Sequence, residues 1–141
     1  MTDVRVRDVM ARKIVYLPVA TTLDEAARAM RDADIGDVVV TDGSSLFGML
    51  TDRDIVIRAV AENRDARQTT IGSVTSREIV MIEQNSTAAE AATLMRERAI
   101  RRILVCDTDR QLVGIVSLGD LAMRTGRATA FSEVGETTAG R

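Results

Sequence analysis

This chain contains the same unit twice, and that limits its folds more than any other property it has. At an offset of 65 residues Val6 falls on Ile71, Val9 on Val74, Ile14 and Val15 on Ile79 and Val80, Thr22 on Thr87 and Glu25 on Glu90. Ala26, Ala27, Met30, Arg31 and Ile35 then fall on Ala91, Ala92, Met95, Arg96 and Ile100. After one inserted residue the offset becomes 66, and Leu46, Gly48, Leu50, Thr51, Asp54 and Ile55 meet Leu112, Gly114, Val116, Ser117, Asp120 and Leu121. Such self-similarity means one supersecondary unit used twice. The end of the unit is its most regular part: GMLTDRD at 48–54 returns as GIVSLGD at 114–120, each with a Gly, two apolar residues, a hydroxyl and, three positions on, an acid.

Each copy reads as strand, helix, strand, strand, helix. In the first, VRDVM at 6–10 is a short opening turn and IVYL at 14–17 a β-branched strand ended by Pro18. Thr22 and Glu25 have the capping-box spacing that starts a helix, with Leu23, Ala26, Ala27 and Met30 as its inner stripe. Gly36 marks a place for a left-handed or closely approached backbone. DVVVT at 37–41 and LFGML at 46–50 flank the turn DGSS as a hairpin, and 52–62 forms a second helix with Ile55, Val56 and Ala59 inward. In the second copy the strand is 79–82, the capped helix 87–98, the hairpin 102–106 with 111–116, and the last helix 118–125. The expected organisation is a first domain at 4–62, a polar linker at 63–70, a second domain at 71–125 and a frayed tail at 126–141 with Phe131 and Val134 as isolated apolar residues.

Composition narrows the function. With 45% hydrophobic residues the chain builds a real core, and with Tyr16, Phe47 and Phe131 as its aromatics that core is aliphatic. A net charge of −2 supplies no field for nucleic acid or an anionic membrane, and so few aromatics leave no stacking platform for single strands. Cys106, the single Cys, lies in an apolar run and reads as core. No apolar stretch is long enough to span a bilayer and the N-terminus lacks a secretory apolar segment, so a cytoplasmic protein with no membrane partner is expected. Without His, a nucleophile–base pair, a metal-ligand cluster or a phosphate-binding loop ending in Gly-Lys-Ser/Thr, the chain is not expected to be an enzyme.

The opening VRDVM, the capped helix with AARAMRDADI, the apolar hairpin and the twice-used G-h-h-[TS]-x-x-D together resemble the cystathionine β-synthase (CBS) domain, over about residues 4–125. Two in tandem resemble a CBS pair, or Bateman module. The resemblance implies an α/β (α+β) fold: two β-α-β-β-α repeats packed through their sheets about a pseudo-two-fold axis. Hairpin strands apolar on both faces fit that expectation, because they need cover on both sides. It also implies two clefts between the repeats that bind adenosine-containing ligands (AMP, ADP, ATP, S-adenosylmethionine or NAD), with no cofactor required.

Residue by residue, Asp54 and Asp120 match the family's ribose-binding acid, which as a carboxylate accepts from adjacent ribose hydroxyls. Thr51 and Ser117 sit where a hydroxyl either caps a helix or turns to a phosphate. Ile14, Val15, Ile79 and Val80 match the residues that flank adenine. Arg53, Arg101 and Arg102 are placed to meet phosphate oxygens. Each has a plainer reading as cap, first-turn acid or solvated charge. The copies also differ: Gly36-Asp37 stands against Arg101-Arg102, Arg53 against Gly119, and the family's Pro before the first helix is displaced to Pro18 in one copy and replaced by Gln84 in the other. The expected function is a non-enzymatic sensor that binds an adenine nucleotide or S-adenosylmethionine and signals through a homodimer or an unknown effector protein. The alternative is a ligand-free structural or stress-response interaction protein.

Overall fold

The computed structural model of the chain describes residues 4–125. In chain order its elements are α1 (Val6–Val9), β1 (Tyr16–Pro18), α2 (Leu23–Ala33), β2 (Asp37–Asp42), β3 (Ser45–Thr51), α3 (Asp52–Ile55), β4 (Met81–Glu83), α4 (Ala88–Arg98), β5 (Arg102–Cys106), β6 (Leu112–Ser117) and α5 (Leu118–Thr125). A π-helical turn, Val56–Val60, continues α3, and a 3-10 turn spans Ile71–Ser73. The expected tail at 126–141 lies outside the described residues.

These elements fall into two compact units, and the units are not the sequence copies. Among the described residues one unit is Ile14–Ile79, and the other joins Val4–Lys13 with Val80–Thr125. Each has a three-stranded sheet with its first strand parallel to the second and the second antiparallel to the third, ordered β1-β2-β3 and β4-β5-β6. The opening turn of each copy is built into the unit that holds the other copy's sheet. Val6 and Val9 are buried with Ala91, Met95, Ile103, Val116 and Leu121, while Ile71 and Val74 are buried with Leu23, Met30, Val38, Val40 and Leu50. Burying each such side chain is worth about 1.5–3 kcal/mol.

Backbone bonds hold the exchanged turns in matching fashion. Val6 and Arg7 donate to the carbonyls of Ser86 and Gln84; Ile71 and Gly72, 65 residues on, donate to those of Thr21 and Val19. The turn that lacks the family's Pro at Gln84 is therefore bonded like the turn after Pro18. Residues 63–70, expected as a linker, also do structural work, since Thr69 and Ala66 carbonyls accept from Leu23 and Asp24 at the start of α2. Those amides have no partner within the helix itself. In the other unit Val4 accepts from Ala88 in the same way.

The helices start where their boxes predict. Thr22 donates its backbone N–H to Glu25 at 3.0 Å and Thr87 to Glu90 at 2.8 Å. Glu25 is held below the usual carboxylate range chiefly by that backbone bond, and Asp24 likewise by the Thr22 hydroxyl. Several expectations need correction. Ala27 is exposed, and Leu23, Ala26 and Met30 form the buried stripe of α2. The helix expected at 52–62 is a short α-turn followed by the π-turn, closed by Ala61 N–H on the Val56 carbonyl. That widening shifts the phase, leaving Ala59 buried and Val56 exposed. The left-handed residue after α2 is Asp34, at φ 57°, and not Gly36; its counterpart after α4 is Ala99, at φ 55°. The first strands start two residues later than expected, at Tyr16 and Met81, where the parallel ladder begins. Met30, Met95 and Cys106 are core residues, as expected.

Candidate functional site

The repeated Gly is explained by the backbone. A Cβ on Gly48 would lie 2.1 Å from the Ser76 carbonyl oxygen, and one on Gly114 would lie 2.7 Å from that of Ala11. Here the segment leaving each opening turn runs along the last strand of the unit: Met49 and Ser76 pair, as do Ile115 and Ala11. Glycine admits that approach. Arg77 reinforces it in one unit, with its guanidinium 3.8 Å from the Phe47 ring centroid and its Nε donating to the Phe47 carbonyl.

Three residues further along the same strand stands the hydroxyl–acid pair. In unit Ile14–Ile79, Thr51 donates its N–H to Asp54 Oδ2 at 2.9 Å and its Oγ1 accepts from the Asp54 N–H at 3.1 Å. Ser117 and Asp120 repeat this at 2.9 and 3.0 Å. Both pairs are reciprocal capping boxes with the acid in the Glu position. The hydroxyls are thus caps in this structure, and each box uses one oxygen of its carboxylate. A carboxylate has a second, so capping and acceptance of a ligand hydroxyl are compatible.

Strand register decides what else lies nearby. Val15 accepts from the Val39 N–H, and Asp37 is paired with Thr51, so residues 15, 37, 51 and 54 gather at one end of the sheet. Val80 accepts from the Leu104 N–H and Arg102 is paired with Ser117, gathering 80, 102, 117 and 120. Ile14, Val15 and Val80 are half-buried, while Ile79 is exposed at the boundary of its unit. Arg101 and Arg102 are half-buried beside the second box; Arg53 is exposed one residue before Asp54. Hence a carboxylate stands opposite the hydroxyl of one box and a guanidinium opposite that of the other. Among the described residues no group of three or more His, Cys, Asp or Glu could hold a metal, and no helix is long and apolar enough to cross a membrane.

Arg58 was not among the sequence candidates. Its Nε lies 4.0 Å from Asp54 Oδ1, the carboxylate oxygen outside the box, and its Nη1 donates to the Val74 carbonyl at 3.4 Å. The signal for it was present, because Arg stands four residues after the acid in both copies, as Arg58 and Arg124.

Comparison with known proteins agrees with this architecture. The chain is 40% identical over 118 residues to the CBS domain-containing protein YhcV of Bacillus subtilis, covering 84% of this chain and 83% of that one. It is 37% identical to Hypoxic response protein 1 of Mycobacterium tuberculosis, over 82% of this chain and 81% of the relative. A crystal structure of Hypoxic Response Protein I with two coordinated zinc ions superposes with a TM-score of 0.67 at 35% identity, covering 87% of this chain and 98% of the other. A conserved CBS domain protein from Thermoplasma acidophilum superposes with a TM-score of 0.84 at 25% identity, over 94% of this chain and 75% of that one. The sequence profile of the CBS domain matches at 6–60 and again at 71–125. The chain belongs to the CBS domain family and carries two CBS domains in tandem.

Proposed function

We propose that this CBS pair is a non-catalytic regulatory module that binds an adenosine-containing ligand and signals through dimerisation or a partner protein. The observation that carries the reading is the doubled box: the Asp54 carboxylate accepts the Thr51 N–H, and the Asp120 carboxylate the Ser117 N–H, each through one oxygen. The second oxygen is then an acceptor for ribose hydroxyls. Val15 and Val80 supply the apolar side for adenine, and Arg53, Arg101 and Arg102 supply cations for phosphate. Asp37 against Arg102 makes the two sites unequal, with the more anionic ligand favoured at the second.

Calorimetric titration with AMP, ATP, S-adenosylmethionine and NAD tests this. At least one binds, and Asp54→Asn or Asp120→Asn weakens it by on the order of tenfold or more. Asn keeps an oxygen for the capping bond and replaces the other with a donor, so this substitution separates ligand from cap.

A second reading, a ligand-free interaction protein of a stress response, is favoured by the identity with Hypoxic response protein 1. Silence from all four ligands selects it. The zinc ions belong to that relative's structure; the present chain has no His and one Cys, so zinc is not part of either reading.

A further inference from the structure

We infer that Arg58 is a positioning residue for the ligand-binding acid of the first CBS domain. This rests on the ribose-binding reading of Asp54 and adds a residue to it. Asp54 would otherwise be held by one oxygen alone, through Thr51. Arg58 acts on the other: its Nε is 4.0 Å from Oδ1, close enough for charge attraction and too long for a hydrogen bond. The carboxylate is thereby oriented from both ends while Oδ1 keeps its lone pairs for hydroxyl donors.

The guanidinium is itself anchored. Its Nη1 donates to the Val74 carbonyl, in the segment that carries the second copy's opening turn. Asp54 is 19% exposed at its side chain and Arg58 51%, so the cation is the more solvated partner. Retention of Arg four residues after the acid in both copies, Arg58 and Arg124, extends the repeated motif to G-h-h-[TS]-x-x-D-h-h-h-R.

The test uses the full chain carrying Asp120→Asn, so that only the first domain's site is read, with AMP and 2′,3′-dideoxy-AMP as probes. Arg58→Gln weakens AMP about threefold, in keeping with a half-exposed ion pair, and leaves the dideoxy analogue unchanged. Arg58→Lys restores part of the loss, and thermal melting confirms that both variants fold. Equal losses for the two probes, or no loss for either, overturn the inference alone. Failure of the parent protein to prefer AMP, or to bind either probe, overturns the reading of Asp54 and the inference with it.

Discussion

The two units use the same backbone devices and differ in the side chains around them. Each has a Gly where a crossing segment touches the last strand, a hydroxyl–acid box at the next helix, and an opening turn contributed by the other copy. Yet the helix after the box is eight residues of regular α-helix in one unit, Leu118–Thr125, and a four-residue α-turn running into a π-turn in the other. The position opposite the box hydroxyl is Asp37 in one and Arg102 in the other. The two units thus share the close backbone approaches at Gly48 and Gly114 and differ in the side chain opposite each box.

The glycines give the harshest test of that contrast. Gly48→Ala brings a Cβ to 2.1 Å from a backbone oxygen and is expected to cost about 3 kcal/mol or more in urea unfolding. Gly114→Ala, at 2.7 Å from the Ala11 carbonyl and from the movable Met10 sulfur, is expected to cost about 1–2 kcal/mol. Near-wild-type stability for Gly48→Ala would mean the crossing segment is not held against the strand. Next in size come the caps. Thr51→Ala and Ser117→Ala, measured without ligand, should each lose about 1 kcal/mol, and a large inequality between them would end the equivalence of the boxes.

The smallest effect concerns the residues that close α2 and α4, both left-handed. Ala99→Gly should raise stability by about 0.5 kcal/mol, since Ala has no means of offsetting its Cβ strain there. Asp34→Gly should gain roughly half as much, because Asp tolerates this conformation better. Thermal melting of the pair would sharpen the comparison by showing whether this unequal choice of residue has any consequence.

Much of this was legible in the repeat. Capping boxes at Thr22 and Thr87, the hairpins, and the span of α4 and α5 follow from local chemistry that acts within four residues. The errors have a common source. Val56 was expected inside because a regular helical phase was assumed, and the π-turn changes that phase. Gly36 was expected to take a left-handed or closely approached backbone; the left-handed residue is Asp34, two positions sooner. Residues 63–70 lie between the two matched domains, and two of their carbonyls also close the start of α2, which polarity alone did not show. At the candidate site, the repeated hydroxyls and acids were visible in the sequence, while their ligand roles came from the family resemblance; Arg58 stood out only once its guanidinium was placed beside Asp54 Oδ1.

The sequence by itself determined that there are two copies of one strand-helix-strand-strand-helix unit, with a hydroxyl and an acid three residues apart at the start of both helices in each. Those features are set by periodicity and by hydrogen bonds between near neighbours. Only the tertiary structure decided which copy's opening turn completes which core, and hence why Gly48 and Gly114 carry no side chain. Val6, Val9, Ile71 and Val74 would be equally apolar in either core, and nothing local distinguishes the two. The choice rests on long-range backbone pairing and on the close approach of chain segments far apart in sequence.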